Sequence, residues 1–573
     1  MKVTDYLVDF FASLGVKVIF GYQGGMITHF VDSISKSPSI RFVQTYHEQS
    51  AAIAAEGYAR ESGKIGVAIS TSGPGATNMV TGIANAFFDS IPVVYITGQV
   101  NTYEYNYEKK VKQIGFQETD IVSIVRPITK YAVMISDPKV VQDEFSKAVS
   151  IALSGRKGPV LLDLPMNIQR ADIEVHSEKL TICPASLPCV KRRDVDKAYR
   201  ILMSAKRPLV LCGGGIASSL ASDSVNAFLN KTGLPYVVSL MGKGTVDESQ
   251  ESFVGMIGSY GNRDANIVLS QSDVVLVLGS RLDLRQTGSL QSGVFDHITF
   301  IHVDIDRGEL ERSTPLKKVC INSDVGDFVR KLFDVMCNYV TSSDWLSFVN
   351  RIKGLYSQDK ELSRFVLNKA PYAFVFELNK QFLDDTIYTI DIGQNQMWAA
   401  QCLRIKNRSS FYTSGGLAPM GYSLHAAIGA AFASPGKKVV CIIGDGGFHI
   451  AIQSLLLIHQ YKLNITVCVM NNGALGMITQ FQELYFDSNM VGTTRDGGYL
   501  VPNIKVIAEA FSLTYLKLDE AEYKSTNIGK YNIVEFVISG ATKVSPKLEF
   551  NQPLYNMTPY LSDDEIKGLL SPE

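Results

Sequence analysis

Residues 444–472 read GDGGFHIAIQSLLLIHQYKLNITVCVMNN, and the reading of this stretch decides the fold. The run before it, KKVVCII at 437–443, has the apolar density of a buried strand, and Gly444, Asp445, Gly446 and Gly447 form a turn at its carboxyl end that presents one carboxylate. A helix-like segment follows, then a second buried run, ITVCVM, which ends on Asn471 and Asn472. Two adjacent parallel strands would deliver Asp445 and Asn472 to one spot, at the sheet edge where open α/β sheets bind ligands. Mg²⁺ takes oxygens in an octahedron and commonly keeps phosphate oxygens among them. Asp445, Asn472 and a backbone carbonyl near Ala474 supply three, which leaves places for phosphate and water.

Outward from this motif the chain repeats the same grammar. DTIYTIDIGQNQMWAA opens the unit at 371–548, and TSGGLAPMGYSLHAAIGAA supplies a further Gly-rich loop. Residues 1–170 alternate β runs (VKVIFG, IRFVQTY, KIGVAIS, PVVYITG, GPVLLDLP) with helical patterns, and 191–344 do so again (PLVLCGGGI, LPYVVSL, DVVLVLGSRL, TFIHVDID). Alternation of this kind implies parallel sheets covered on both faces. The fold class is therefore α/β, with three consecutive doubly wound parallel-sheet domains. Residues 171–190, with Pro184 and Pro188, read as a linker; 345–370 are charged and helix-like and read as a second; 549–573 form a polar tail.

At 573 residues, with 46% hydrophobic and 19% charged, each unit can bury a full core. A formal charge of −1 gives no global electrostatic footprint for nucleic acid or an anionic membrane, so no such partner is expected. The eight cysteines include no CxxC pair, and several lie in apolar runs, which points to buried free thiols in a reducing, cytoplasmic setting. No apolar stretch approaches the length of a membrane span.

The spacing of GDG to NN resembles the thiamine diphosphate fingerprint. Across nearly the whole chain, FGYQGGMI, TYHEQSAAIAAEGYAR, STSGPGATN, GFQET, SGRKGPVLLDLP, HVDID, GQNQMWAAQ, TSGGLAPMGYSLHAAIGA and NNGALGMITQFQ, in that order, resemble acetohydroxyacid (acetolactate) synthase large subunits. The resemblance implies a thiamine diphosphate pyrimidine-binding unit, an FAD-type middle unit and a diphosphate- and Mg²⁺-binding unit. It makes Glu48 the carboxyl that hydrogen-bonds the cofactor pyrimidine, and Met420 the residue that forces the cofactor into its bent form, with backbone near Ala418 against the aminopyrimidine. Gly24, Gly25, Ser72, Gly73, Asn78, Gln394, Gly444, Gly446 and Gly447 complete the implied cofactor cradle. FAD is implied at Arg156, Gly213, Gly214, Gly215, Arg281, Asp304, Asp306 and Asp324, without net redox work in the main reaction.

The same resemblance places Gln117 near the substrate. Decarboxylases of the superfamily set histidines there as proton donors, and residues 100–116 contain none. An amide can orient an acceptor carbonyl without protonating carbon, so carboligation is favoured. Pyruvate is the implied donor, and a 2-keto acid the acceptor; a nucleotide-linked keto sugar is the alternative, left open by departures at the pocket. Gln23 replaces a proline, Met166 a lysine and Phe481 a tryptophan of the family pattern, with Met477 nearby; Ser259, Tyr260, Leu282 and Leu284 alter the flavin region. Glu48 and the Asp445–Asn472 pair lie far apart in the chain and come from different subunits in the related enzymes. A homodimer or homotetramer with sites at subunit interfaces is expected, with room for a regulatory small subunit.

Overall fold

The computed structural model describes all residues except 176–181, 337–338, 367, 383, 407, 520–522 and 571–573. Part of the expected linker at 171–190, Cys337 and the last residues of the expected tail lie outside the described residues.

Three six-stranded, wholly parallel sheets follow one another. The first holds β1 (Val18–Gly21), β2 (Arg41–Gln44), β3 (Gly66–Ser70), β4 (Val93–Gln99), β5 (Tyr131–Met134) and β6 (Val160–Pro165), in the order β2-β1-β3-β4-β6-β5. The second holds β7 (Pro208–Cys212), β8 (Tyr236–Val238), β9 (Phe253–Met256), β10 (Val274–Leu278), β11 (Thr299–Asp304) and β12 (Lys317–Asn322), in the order β12-β11-β10-β7-β8-β9. The third holds β13 (Thr386–Ile390), β14 (Ser410–Thr413), β15 (Lys438–Gly444), β16 (Ile465–Asn471), β17 (Tyr515–Leu518) and β18 (Ile533–Val537), in the order β14-β13-β15-β16-β18-β17. Three doubly wound sheets are what the sequence pattern predicts. The strands it did not single out are β5, β9, β12, β14, β17 and β18, and all but β18 are sheet edges. An edge strand is covered less completely, and β12 accordingly mixes exposed and buried residues instead of forming an apolar run.

Order reversal creates a crevice at the carboxyl end of a doubly wound sheet, and ligands bind there. In the first sheet the reversal lies between β1 and β3, in the second between β7 and β10, and in the third between β13 and β15. The turns after these strands are Tyr22–Gly25 with Thr71–Gly75, Gly213–Gly215 with Gly279–Ser280, and Asp391–Gln394 with Asp445–Gly447. Each is glycine-rich, because backbone must approach closely at a switch point.

The first and third units join through equivalent helices, Glu48–Ser62 and Tyr422–Ala433, each running from the second to the third strand of its own sheet. The contact is backbone on backbone. A Cβ on Gly57 would stand 2.3 Å from the Ala426 carbonyl oxygen, and one on Gly429 only 1.9 Å from that of Ala54. Helices at such a distance need glycine at the crossing.

The segment 345–370 forms the helices Ser343–Tyr356 and Gln358–Phe365. Trp345, Val349, Ile352 and Tyr356 recur on one helical face and enter the middle unit's core. Residues of the tail enter it too: Leu554, Leu561 and Leu569 pack in the same cluster. Arg263, fully buried, fixes this arrangement by pairing with Glu361 and donating to the Met557 and Pro559 carbonyls.

Cys212, Cys402, Cys441 and Cys468 are buried free thiols, whereas Cys183, Cys189 and Cys320 are exposed. Burial of the thiols thus holds for those on inner strands and on a helix, but not for Cys320 on the edge strand β12. Among the described residues, no helix is long and apolar enough to cross a membrane.

Candidate functional site

The carboxyl ends of β1 to β4 bring the first group together. Glu48 opens the helix after β2 and is buried, and Asn78 donates to its Oε2 at 2.9 Å. Its Oε1 lies over Gly75, where a Cβ would stand 3.0 Å away. Gly73 has φ +61°, and a Cβ there would meet Gln117 at 3.0 Å. Gly24 backs onto Thr71, whose hydroxyl accepts from Met26 N–H at 3.2 Å. Glu48, Asn78, Gly73, Gln117 and Gly24 therefore share one rim, with Gly25 open to solvent and Gln23 bonded through its N–H to Gln44 at 3.2 Å. Gln117 itself is held at φ +63°. Such strain in a residue with a Cβ persists only where surroundings impose it.

The second group stands at the carboxyl ends of β13, β15 and β16. Gly444 pairs with Met470 in register, so Asp445 and the Asn471–Asn472 pair emerge side by side. Asp445 is buried and accepts from Tyr499 Oη at 2.9 Å, Gly446 N–H at 2.7 Å and Gly473 N–H at 2.8 Å. Burial raises its carboxyl pKa above the ordinary value, and these donors oppose the rise. Asn472 donates to Gln394 Oε1 at 2.9 Å, and its own amide oxygen accepts from Ala474 N–H at 3.2 Å. Met420 lies against Gly446, where a Cβ would meet its methyl at 2.8 Å; Gly447 faces Asp391. Ala418 has φ +60°, and its N–H donates to Ser414 Oγ at 2.8 Å. Tyr499, which holds the carboxylate, was not foreseen; it sits in an irregular stretch with no motif to mark it.

Phe481 and Met477 lie on the helix Gly476–Tyr485. Phe481 is exposed and packs against Tyr485 and Phe486, while Met477 turns toward the core. Met166 follows β6, and the adjacent Asn167 clamps Thr102 through two 2.9 Å hydrogen bonds. Met166 thus adjoins the segment that carries Gln117. Among the described residues, no hydrogen bond joins the Glu48 group to the Asp445 group within the chain.

The middle rim is separate. Gly213 and Gly215 pack on the backbone of Gly279, with Gly214 beside Met241. Arg156 donates to Asp306 and Glu309, each at 3.0 Å, and to Ser90 at 2.8 Å, tying the first unit to the second. Asp304 accepts from Asp306 N–H, and burial raises its carboxyl pKa to about 6. Asp324 caps the helix Val325–Val335. Arg281, bonded to Asp283 at 3.0 Å, lines an open cleft together with Met241, Tyr260, Arg285 and Met397. Ser259 is held by Leu548, just before the tail, whose N–H donates to its carbonyl at 2.7 Å, and the Tyr260 carbonyl accepts from Gln401 Nε2 at 3.2 Å.

These features fit a cofactor with a diphosphate and a divalent cation. Asp445, Asn472 and the nearby backbone offer hard oxygens only, the set Mg²⁺ prefers. Ser72 Oγ is buried at the opposite rim without a partner, an orphan that a ligand could satisfy. Comparison with known proteins agrees. Models of thiamine pyrophosphate (thiamine diphosphate) enzymes match in order: the N-terminal TPP binding domain over residues 1–124, the central domain over 195–332 and the C-terminal TPP binding domain over 391–528. The fold is that of a thiamine diphosphate enzyme. A probable acetolactate synthase large subunit of Methanococcus aeolicus is 34% identical over 92% of this chain and 91% of its own. Another from Methanocaldococcus jannaschii is 37% identical over 85% and 83%, and the isozyme 1 large subunit of Escherichia coli is 33% identical over 97% and 95%. The chain belongs to the acetolactate synthase large-subunit family.

Proposed function

We propose that this chain takes an acetyl unit from pyruvate and adds it to a second 2-keto acid, using thiamine diphosphate held with Mg²⁺. The observation that carries this reading is the pair of rims, one with a carboxyl group that Asn78 bonds on one oxygen, the other with a carboxylate fixed by Tyr499 and two backbone N–H groups. When bound, thiamine diphosphate supplies the electron sink for decarboxylation of a 2-keto acid. Glu48 would share a proton with the pyrimidine nitrogen. Asp445, Asn472 and the Ala474 backbone would hold the cation and so orient the diphosphate, with Gln394 setting the Asn472 amide. Met420, packed against Gly446, would support the cofactor, and Ala418, held at φ +60°, would offer backbone to its pyrimidine. Gln117 orients the acceptor carbonyl, while Met166, Met477, Gln23 and Phe481 border its approach.

The complete site, on this reading, forms between subunits of a homodimer or a larger homo-oligomer; among the described residues, no hydrogen bond joins the two groups within one chain. The exposed face Ile478, Phe481, Leu484 and Tyr485 supports this, being apolar beside the site. Light scattering that finds an active monomer would contradict it. The relatives are named as large subunits, so a regulatory small subunit is a natural partner. For FAD, the support is the middle sheet's strand order, the dinucleotide-binding type, with Gly213–Gly215 at its switch point and the arginine-lined cleft alongside. Flavin absorbance in the purified protein tests it. A cytoplasmic location accords with the free thiols.

The deciding experiment incubates the protein with thiamine diphosphate, Mg²⁺, FAD and pyruvate alone and assays acetolactate. Rapid formation supports the reading; pyruvate left intact until a keto sugar is added would replace it with the alternative acceptor.

A further inference from the structure

Residues 100–119 leave β4 at Gln99, and both ends of this segment are closed by that one side chain. Gln99 Nε2 donates to the Thr119 carbonyl at 2.8 Å, and its Oε1 accepts from Val100 N–H at 3.0 Å. Thr119 lies two residues beyond Gln117. What sets the Gln99 amide is Asp163 on the neighbouring β6, where Thr97 is its register partner. Asp163 is fully buried; it accepts from Thr97 Oγ1 at 2.7 Å and from Gln99 Nε2 at 2.9 Å. Asp163 accepts on one oxygen from Thr97 and on the other from Gln99 Nε2, which turns the amide nitrogen of Gln99 inward and leaves its oxygen for Val100.

We propose that Asp163, acting through Gln99, is a positioning residue for Gln117 and thereby sets capture of the acceptor, not activation of the donor. The inference rests on the acceptor role given to Gln117 above. Asp120 and the Tyr105 phenol are the other titratable groups facing this cluster, and Lys109 engages Asp120. Glu118, between Gln117 and Thr119, is spent on the Asn106, Ile114 and Gly115 N–H groups, so it folds the segment upon itself. Gln99 ties it to the sheet at both ends. Asparagine at 163 can still accept from Gln99 while Thr97 reverses its hydroxyl; leucine can do neither.

The test partitions decarboxylated pyruvate between acetolactate and released acetaldehyde in the holoenzyme, with Gln117→Ala as the reference. Asp163→Leu and Gln99→Met should raise the aldehyde-to-acetolactate ratio about tenfold, the loss of roughly one hydrogen bond's worth of placement. Pyruvate consumption should change by less than about twofold, and Asp163→Asn should restore the wild-type ratio. If Gln117→Ala shifts the ratio and folded Asp163→Leu and Gln99→Met do not, the inference fails while the acceptor role stands. If Gln117→Ala leaves the ratio unchanged, the acceptor role itself fails and the inference with it. Gln99→Met keeps side-chain length and carries the test if Asp163→Leu does not fold.

Discussion

The first and third sheets have one strand order: counted from its own first strand, each reads 2-1-3-4-6-5. Their ligand rims nevertheless do opposite things with a carboxyl group. Glu48 stands after the second strand, bonded by Asn78 on one oxygen, with the other turned over a glycine. Asp445 stands after the third strand with Tyr499 and two N–H groups on it. A group that must exchange a proton with a ligand needs an oxygen left open. A group that must hold a cation needs both oxygens aimed. The scaffold permits either, and the neighbours decide.

The largest test of this contrast is Glu48→Gln. Cofactor binding by calorimetry should persist, while C2–H exchange measured by NMR falls about a thousandfold, within the range for loss of a proton-transfer group. Undiminished exchange would erase the distinction between the rims. Next comes the seam that relates the sheets. Gly429→Val forces a side chain onto the Ala54 carbonyl and should cost about 3 kcal/mol of stability, the upper range for overpacking, seen as a fall in denaturation midpoint. On the cation side, Tyr499→Phe removes one donor from Asp445 and should weaken Mg²⁺-dependent cofactor binding about tenfold, without a matching change in C2–H exchange once saturated. An equal effect on both would mean that the rims are not independent.

The smallest effect concerns pH. Burial raises Asp163 from the 3.8 of an exposed aspartate to about 7. The folded chain therefore binds a proton that the unfolded chain releases, and this residue's contribution is full below about pH 4 and lost as pH rises to about 7. Asp163→Asn should flatten, in part, the decline in melting temperature across that window; Asp264 and Asp391, also raised by burial, leave a remainder.

Much of this arrangement was legible in the sequence because switch points leave a local trace. GYQGG, TSGPG and GDGG mark turns where backbone must approach, and the distance from Asp445 to Asn472 fits a strand–helix–strand unit. Edge strands such as β12 left little trace, since partial exposure breaks the apolar run. Tyr499 reaches Asp445 by tertiary folding alone. Asp163 lies inside the β run GPVLLDLP without a motif to mark it, and its register with Thr97 is what reveals a purpose. The segment 345–370 looked like a connector because it is charged, yet its apolar residues recur at helical spacing and complete a core.

That last feature bears on how the chain is made. The first unit has closed its sheet by Pro165, though one face of it waits for the helix Tyr422–Ala433. The middle unit waits longer for part of its core, because Leu554, Leu561 and Leu569 arrive only after the whole third unit has been translated. Its apolar surface stays open on the ribosome through the synthesis of the third unit, and during that interval a chaperone has its widest target.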